Sequence, residues 1–486
     1  MATNQKISQL NVLTGSNLDS VVDWLPVVDT SDVETKKIAP KELIDGYVNS
    51  NPLLVGNTLS LKNSSASTVQ AAALIQSSVV DNGLILSTNN NGPLMRNAPD
   101  NTNFGGNSRG LFSVDLQKTR NNADEVASGN YSVVGGGVSN KASGVYSYVG
   151  GGQQNRALQN HAVTTGGLNN NNNSDRGFIG GGEGNATSTN THASVIGGSS
   201  NTASGQRSIA GGNSNTASGT NSLCMGGSGG NIASNNRSIV IGGEGNTANA
   251  GISCVLNSMY ATASGSQSMV LNSTSGSSAT GSNSMVINKG NASGIQSIAF
   301  NEGKSDETLS ISFNTNSRAT LHNQFAISNG VNINGGSQAS QLVSSKNDTL
   351  TTGGTTVLSL DGTGVTNLII PNISYSLATN RAWNVSVDWV AVVTGITGTA
   401  TGITVGDIIT GESLFGFKRI GGTSSVRNFI RDASASDSLI MDTCSMTYTA
   451  GASQQLAMTF TGPTFAGGGS VTMRIVAKVS LVEVAY

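Results

Sequence analysis

The side chains best placed to do chemistry recur at a fixed interval. Tyr131, Tyr146, His161, Arg176, Arg207 and Arg237 fall in one slot of a short repeat, with Asn221 in the same slot and His192 one residue out of frame. A longitudinal row of rings and guanidinium groups offers stacking surfaces and hydrogen-bond donors of the kind that hold sugars. The same long polar side chains, pointing outward, would equally keep an extended surface solvated. Acid–base chemistry has less to work with. Between residues 127 and 300 the acids are Asp175, Glu183 and Glu244, and Asp175 and Glu183 do not occupy one slot of adjacent repeats. The repeated carboxylate pair that glycoside hydrolysis needs is therefore not apparent. His161, His192 and His322 all lie in the repeat region, so neither a Ser-His-Asp arrangement nor an H-x-H metal pair is readable. Cys224, Cys254 and Cys444 lack metal-ligand spacing and read as reduced, buried thiols. The chain reads as non-enzymatic, with no cofactor and no metal.

The elements that must carry these residues are constrained by composition. Of 486 residues 63 are Gly and only 11% are charged, with a net charge of −2. Too few Lys, Glu and Leu are present for a coiled coil or helical bundle, and seven Pro without a three-residue Gly period exclude collagen. The absence of a basic tract argues against nucleic acid as a partner. No basic-then-apolar leader is read at the N-terminus, and no apolar stretch reaches the roughly 18 residues of a spanning helix, so membrane insertion is not expected.

Self-similarity sets the architecture. ASGNYSVVGGGVSNK begins at Ala127 and ASGVYSYVGGGQQNR at Ala142, and the frame returns at nearly even steps through Ala157, Ala203, Ala233 and Ala263 to Ala292. The sixth slot is always small, from Ser132 and Ser147 to Ser284 and Ser297. A short run such as SVVG, SIVIG or SMVLN follows, apolar at successive positions, as in strands buried on both faces. Gly pairs then supply a sharp corner, and an Asn (Asn140, Asn155, Asn170, Asn185 and onward to Asn246) precedes the next unit, suited to ladders between coils. This predicts a parallel β-solenoid over residues 127–335 with one turn per repeat. So short a coil is too thin to hide both strand faces, and a homotrimer of parallel chains is therefore expected. From Asn257 onward the Gly pair is lost, which predicts a change of shape before residue 300, and ATLHNQFAIS at 319–328 reads as one more degenerate turn.

The units resemble the head repeat of trimeric autotransporter (YadA-like) adhesins, A-x-G-x-x-S-x-A-I-G, in the stretches ASGQRSIAGG (203–212) and SNNRSIVIGG (234–243). The resemblance implies a left-handed parallel β-roll. Gly-Gly in place of Ile-Gly in many units departs from that motif. An adhesin would also need a signal peptide, a coiled-coil stalk and a barrel anchor, none of which is readable here.

Residues 1–50 resemble the virion-attachment segment of tailed-phage fibre proteins: I-S-x-L, then DWLPVVD, then TKKI and a short helix. Strands are expected at 24–28 and 35–38, with Trp24, Leu25, Pro26, Val27, Val28, Lys36 and Lys37 as attachment residues. Residues 51–126 form a β-rich transition region without an assignable fold. From about residue 340 aromatics and longer alternating runs (381–393 and 470–486) predict an antiparallel β-sandwich over 340–486, similar in pattern to the distal domains of phage fibres. Trp383 and Trp389 share a strand face and read as core. Phe415, Phe417, Lys418, Arg419, Arg427, Phe429 and Arg431 are the candidate receptor surface. The whole is expected to be an all-β, elongated homotrimer. The resemblance implies a fibre made in the host cytoplasm and carried on the virion, its N-terminus on a tail or capsid protein and its distal end on a host glycan or protein. The alternatives are a capsid-attached head fibre and a polysaccharide-degrading spike.

Overall fold

The structure, a computed structural model, describes residues 25–28, 35–38, 74–77, 84–87, 91–328, 338–358, 381–420, 423–450 and 456–485. The chain divides into two compact units, residues 1–94 and 95–486. In the first, Leu25–Val28 and Thr35–Ile38 pair antiparallel, with Leu25 opposite Ile38 and Pro26 opposite Lys37. Both strands fall where the sequence places them, and a two-stranded ribbon has free edges that tolerate the missing N–H of Pro26. Leu74–Ser77 and Leu84–Ser87 form a second antiparallel pair. Trp24 and the expected helix after Pro40 lie outside the described residues.

The second unit opens with the solenoid. Parallel pairing begins at Val114–Asp115, which aligns with Val133–Val134, inside the stretch to which the sequence assigned no fold. It continues rung on rung to Phe325–Ser328, so 319–328 is indeed the last turn. Opposite this ladder runs a 13-stranded parallel sheet of very short strands, from Lys141–Ala142 to Arg318–Ala319. Each turn thus has two short strands, and the interior between them is a single layer of side chains. One wall is Val134, Val149, Ile179, Val195, Ala210, Cys224 and Val240; the other is almost all Ala, including Ala142, Ala157, Ala203, Ala217 and Ala233, and all are fully buried. Small residues are demanded because nothing larger fits in so thin a coil. Asn172 and Thr187 replace Ala on this wall and satisfy each other, Thr187 Oγ1 donating to Asn172 Oδ1 at 2.8 Å while Asn172 Nδ2 donates to the Val163 carbonyl.

The corner after each strand is held by the Asn ladder. Asn155 Nδ2 donates to the carbonyls of Gly151 (2.9 Å) and Gly167 (2.7 Å), one within its own rung and one in the next. Its Oδ1 accepts the backbone N–H of Asn170, and the pattern repeats from Asn140 to Asn246. Gly152 has to be Gly twice over: its φ is +81°, and a Cβ would collide with the Gly167 carbonyl oxygen. Beyond Ser258 hydroxyls take over, with Ser258 Oγ accepting Ser273 N–H and Ser273 Oγ donating to Ser277. The expected change of shape is therefore a shortening. Ala279 pairs with Ala292 and Ala292 with Ser305, each a shorter step than the one from Ala263 to Ala279, while the parallel stacking persists.

The strand runs are not buried on both faces within one chain. The middle residue of each points in, and its flanking residues are half-buried or exposed, as in Ile239-Val240-Ile241 and Met285-Val286-Ile287. Consecutive apolar residues in a strand must alternate sides, so the two flanking residues of each such run are left outside.

The last rung passes directly into antiparallel pairing. Phe325–Ser328 hydrogen-bonds to β1 (Gln338–Leu350), with Phe325 opposite Gln341. There follow β2 (Thr355–Val357), β3 (Arg381–Thr397), β4 (Ile408–Ile420), β5 (Thr423–Ser436), β6 (Ser445–Ala450), β7 (Leu456–Thr461) and β8 (Ser470–Ala485). The registers order one sheet β1-β8-β3-β4-β5 and a second β2-β7-β6. A single core, including Trp383, Val387, Trp389, Phe415, Phe417, Tyr448, Phe460 and Ile475, joins them. This is the antiparallel module expected at the C-terminus, and both tryptophans are core residues as read.

Candidate functional site

The fifth-slot row is a structural corner before it is a surface. Tyr131, Tyr146, His161, Arg176, Arg207 and Arg237 all have φ between +53° and +58°, and His192 has +61°. The backbone N–H of each donates back to the preceding turn, Tyr146 to Asn130 O and His161 to Val145 O, both at 2.9 Å. His192 donates to Asp175 O in the same way, so one extra residue in its turn, not a different corner, put it out of frame. The left-handed conformation turns the chain from the first strand into the second and throws the side chain outward.

The stack starts earlier than the repeat frame suggests. Phe112 and Tyr131 stack at 4.9 Å with planes 7° apart, Tyr131 and Tyr146 at 4.9 Å and 10°, and Tyr146 and His161 at 5.3 Å and 18°. That separation matches the roughly 4.8 Å between adjacent strands. Each inner ring has a neighbour on both faces. A sugar stacks on an aromatic face, so along the ladder only ring edges and hydroxyls remain to meet a ligand. Phe112 carried no repeat signature, and only its φ of +55° and its ring contact place it in the row. Further along, Arg176 pairs with Asp175 at 3.1 Å and Arg207 Nε donates to Asn221 Oδ1 at 2.8 Å. The cationic end of the row is thus partly engaged with its own surface.

On the C-terminal module the candidate receptor residues separate. Phe415 and Phe417, expected outside, are buried in the core (0% and 1% exposed). They stand two residues apart on β4 and so share its inward face, Phe415 packing against Tyr448 and Phe417 against Trp383. The run lies inside β4, so alternation along the strand sends both rings to the covered face. Lys418 is half-buried, and Arg427 and Arg431 are exposed. Arg431 reaches Glu412 at 3.3 Å. Arg419 and Phe429 are placed by backbone only, opposite Arg381 and Ser424 and opposite Phe415 respectively. Exposed charges cross this sheet in register: Lys478 lies opposite Asp388, and Asp388 opposite Glu412.

Where β5 meets β6 a polar relay enters the core. Tyr448 Oη donates to Ser413 Oγ at 3.0 Å and Ser413 Oγ donates to Asp432 Oδ1 at 2.7 Å. Burial first, with the Asp432 and Asp388 carboxylates adding to it, pushes the Tyr448 hydroxyl up to about 12, so it remains a neutral donor. Burial also raises Cys224 to about 11 and Cys444 to about 12, which leaves both thiols protonated. Among the described residues no group of three His, Cys, Asp or Glu side chains is placed to hold a metal ion. None of the helices among them is long and apolar enough to cross a membrane.

No protein-family profile matches the chain, and a comparison with curated proteins finds no match either. Among solved structures, the crystal structure of the Acinetobacter baumannii phage AM24 tailspike protein aligns with 79% of this chain and 68% of that chain, at 5% identity and a TM-score of 0.19. A TM-score of 0.19 is too low for the two folds to be called alike.

Proposed function

We propose that the chain is a structural phage fibre: a homotrimer held to the virion by its N-terminal segment, which adheres to the host surface through the C-terminal module and performs no catalysis. The observation that carries the assembly is the apolar band left outside the solenoid. Leu223 and Met225, Ile239 and Ile241, Met269 and Leu271, Ile298 and Phe300, and Ile311 and Phe313 lie on the outer flanks of five of the rungs between 223 and 313. Ile196, Ile241 and Ile327 are 53%, 43% and 40% exposed. A continuous apolar band of this kind is what parallel copies of one chain bury against each other at equal heights. Attachment rests on the likeness of DWLPVVD and TKKI to fibre anchor segments, whose two runs pair as a hairpin. Adhesion rests on the C-terminal module, where three copies of a weak contact gain avidity from being held together.

The test is gold labelling of virions with antibody against residues 340–486, viewed by electron microscopy, alongside native mass spectrometry of the purified chain. Gold at the tail and a mass three times that of the chain are expected. Gold around the capsid would make it a head fibre, and release of reducing ends from host polysaccharide would make it a degrading spike. A monomer at micromolar concentration would remove the assembly.

A further inference from the structure

The strand ladder that carries the apolar band does not stop at the last rung. Phe325–Ser328 pairs with β1, β1 with β8, β8 with β3 and β3 with β4, so one hydrogen-bonded sheet runs from the solenoid into the C-terminal module. Directly opposed residues of paired strands share a face. Phe325 and Ile327, the outward residues of the last rung, therefore continue as two columns. Phe325 leads through Gln341, Ser480 and Ser386 to Leu414. Ile327 leads through Ala339, Val482 and Asn384 to Gly416. No residue of either column is charged, and beyond the last rung only Gln341 and Leu414 are long.

Charge begins one place to the side. Lys478, Asp388 and Glu412 lie opposite one another on β8, β3 and β4, with Lys478 reaching Asp388 at 3.7 Å and Arg431 of β5 reaching Glu412 at 3.3 Å. Two cations and two carboxylates leave this row without net charge. A border between identical copies requires that, because around a symmetry axis a net charge meets its own sign. Apolar side chains left outside gather on the same face: Val482 is 56% exposed, Val343 48% and Val390 40%. The other sheet of the module is built differently. Its outward residues are chiefly hydroxyls, with Thr355 opposite Thr461, Thr461 opposite Ser445, and Thr459 opposite Thr447. A hydroxyl face keeps its water and needs no cover, whereas a valine face gains from one. We propose that the outer face of the β1-β8-β3-β4 sheet is an interface between copies of this chain, with the hydroxyl face of β2-β7-β6 turned outward. The occupant is a second copy because identical chains that meet in parallel along the band meet again where the same sheet face continues. The inference rests on the homotrimer read above and adds which side of the C-terminal module the copies cover.

The experiment uses the full chain carrying Val482→Cys or Ala339→Cys, at exposed positions opposite each other on β8 and β1. Thr447→Cys on the hydroxyl face and Ile241→Cys on the solenoid band serve as comparisons. Each folded protein is treated with N-ethylmaleimide, labelling is followed by peptide mass spectrometry, and the oligomer is weighed by native mass spectrometry. In a trimer, Val482→Cys and Ala339→Cys are expected to react at least about tenfold more slowly than Thr447→Cys, a protection that urea removes. A trimer in which both react as fast as Thr447→Cys overturns the proposal and leaves the homotrimer standing. A monomer in which Ile241→Cys also reacts freely removes the assembly reading, and this interface with it. Protection of Val482→Cys beside free reaction of Ile241→Cys keeps this interface and strikes the solenoid band.

Discussion

At the scale of the residue, the solenoid depends on side chains that act as backbone. Each ladder Asn is fully buried; Asn185, for one, donates to the carbonyls of Gly181 and Gly198 and accepts the N–H of Asn201, tying its own rung to the next. Asn185→Ala strands the carbonyl of Gly181 and the N–H of Asn201, while the Gly198 carbonyl keeps the Glu183 N–H. At about 1–3 kcal/mol for each buried polar group left alone, a loss of at least about 2 kcal/mol is expected in urea unfolding. A change below about 1 kcal/mol would mean that water replaces the amide. The thiols give a second check. With Cys224 near 11 and Cys444 near 12, roughly one thiolate in a thousand and one in ten thousand exist at pH 8. Mass spectrometry after iodoacetamide treatment of the native chain should find both unmodified, and rapid alkylation of either would show that its rung or sheet opens.

At the scale of the element, what differs along the solenoid is the outer flank. In the early rungs the residue after the inward one is Gly135, Gly150 or Gly180, and the exposed rings of Tyr148 and Phe178 lie close to the glycine of their own strand. From Ile196 on, that slot is bulky in all rungs but that of Gly211, so the band doubles in width. These residues contribute nothing to the interior layer. Changing Ile298 and Ile311 to Lys together should leave the strand circular dichroism of the chain unaltered and abolish the oligomer in analytical ultracentrifugation. If the double variant still sediments as the native protein does, the band is not the interface.

At the scale of the whole solenoid, both ends must be closed, since each rung rests only on its neighbours. The C-terminal end is closed by pairing with β1. The N-terminal end is closed by buried charge: Asp115 takes Arg109 at 2.9 Å and Arg120 at 3.1 Å, all three side chains fully buried, and Gln117 heads the ladder by accepting Asn140 N–H. Asp115→Asn leaves two buried guanidinium groups without their counter-charge, a loss of about 3–5 kcal/mol for a broken buried pair. Hydrogen exchange should then quicken in the rungs from Val114 to about Ala162 and stay native in β3 and β8. Uniform quickening across the chain would mean that the unit unfolds all at once and not rung by rung.

The amino-acid sequence by itself determined the coil. A short repeating frame with a small interior slot, a Gly corner and an Asn before each turn admits one stacked solution, because every rung must satisfy its backbone through identical neighbours. It also determined the alternating strands of the C-terminal module and the burial of Trp383 and Trp389. Tertiary structure alone decided what meets what across distance. It put Phe415 and Phe417 inside, because strand alternation has no sign until a second sheet covers one face. It turned the Tyr and His row into a self-stacked ladder, because ring spacing follows rung spacing. It set Ala339, Val482 and Asn384 in one column with the last rung of the solenoid, since residues far apart in the chain share a face only once their strands have paired.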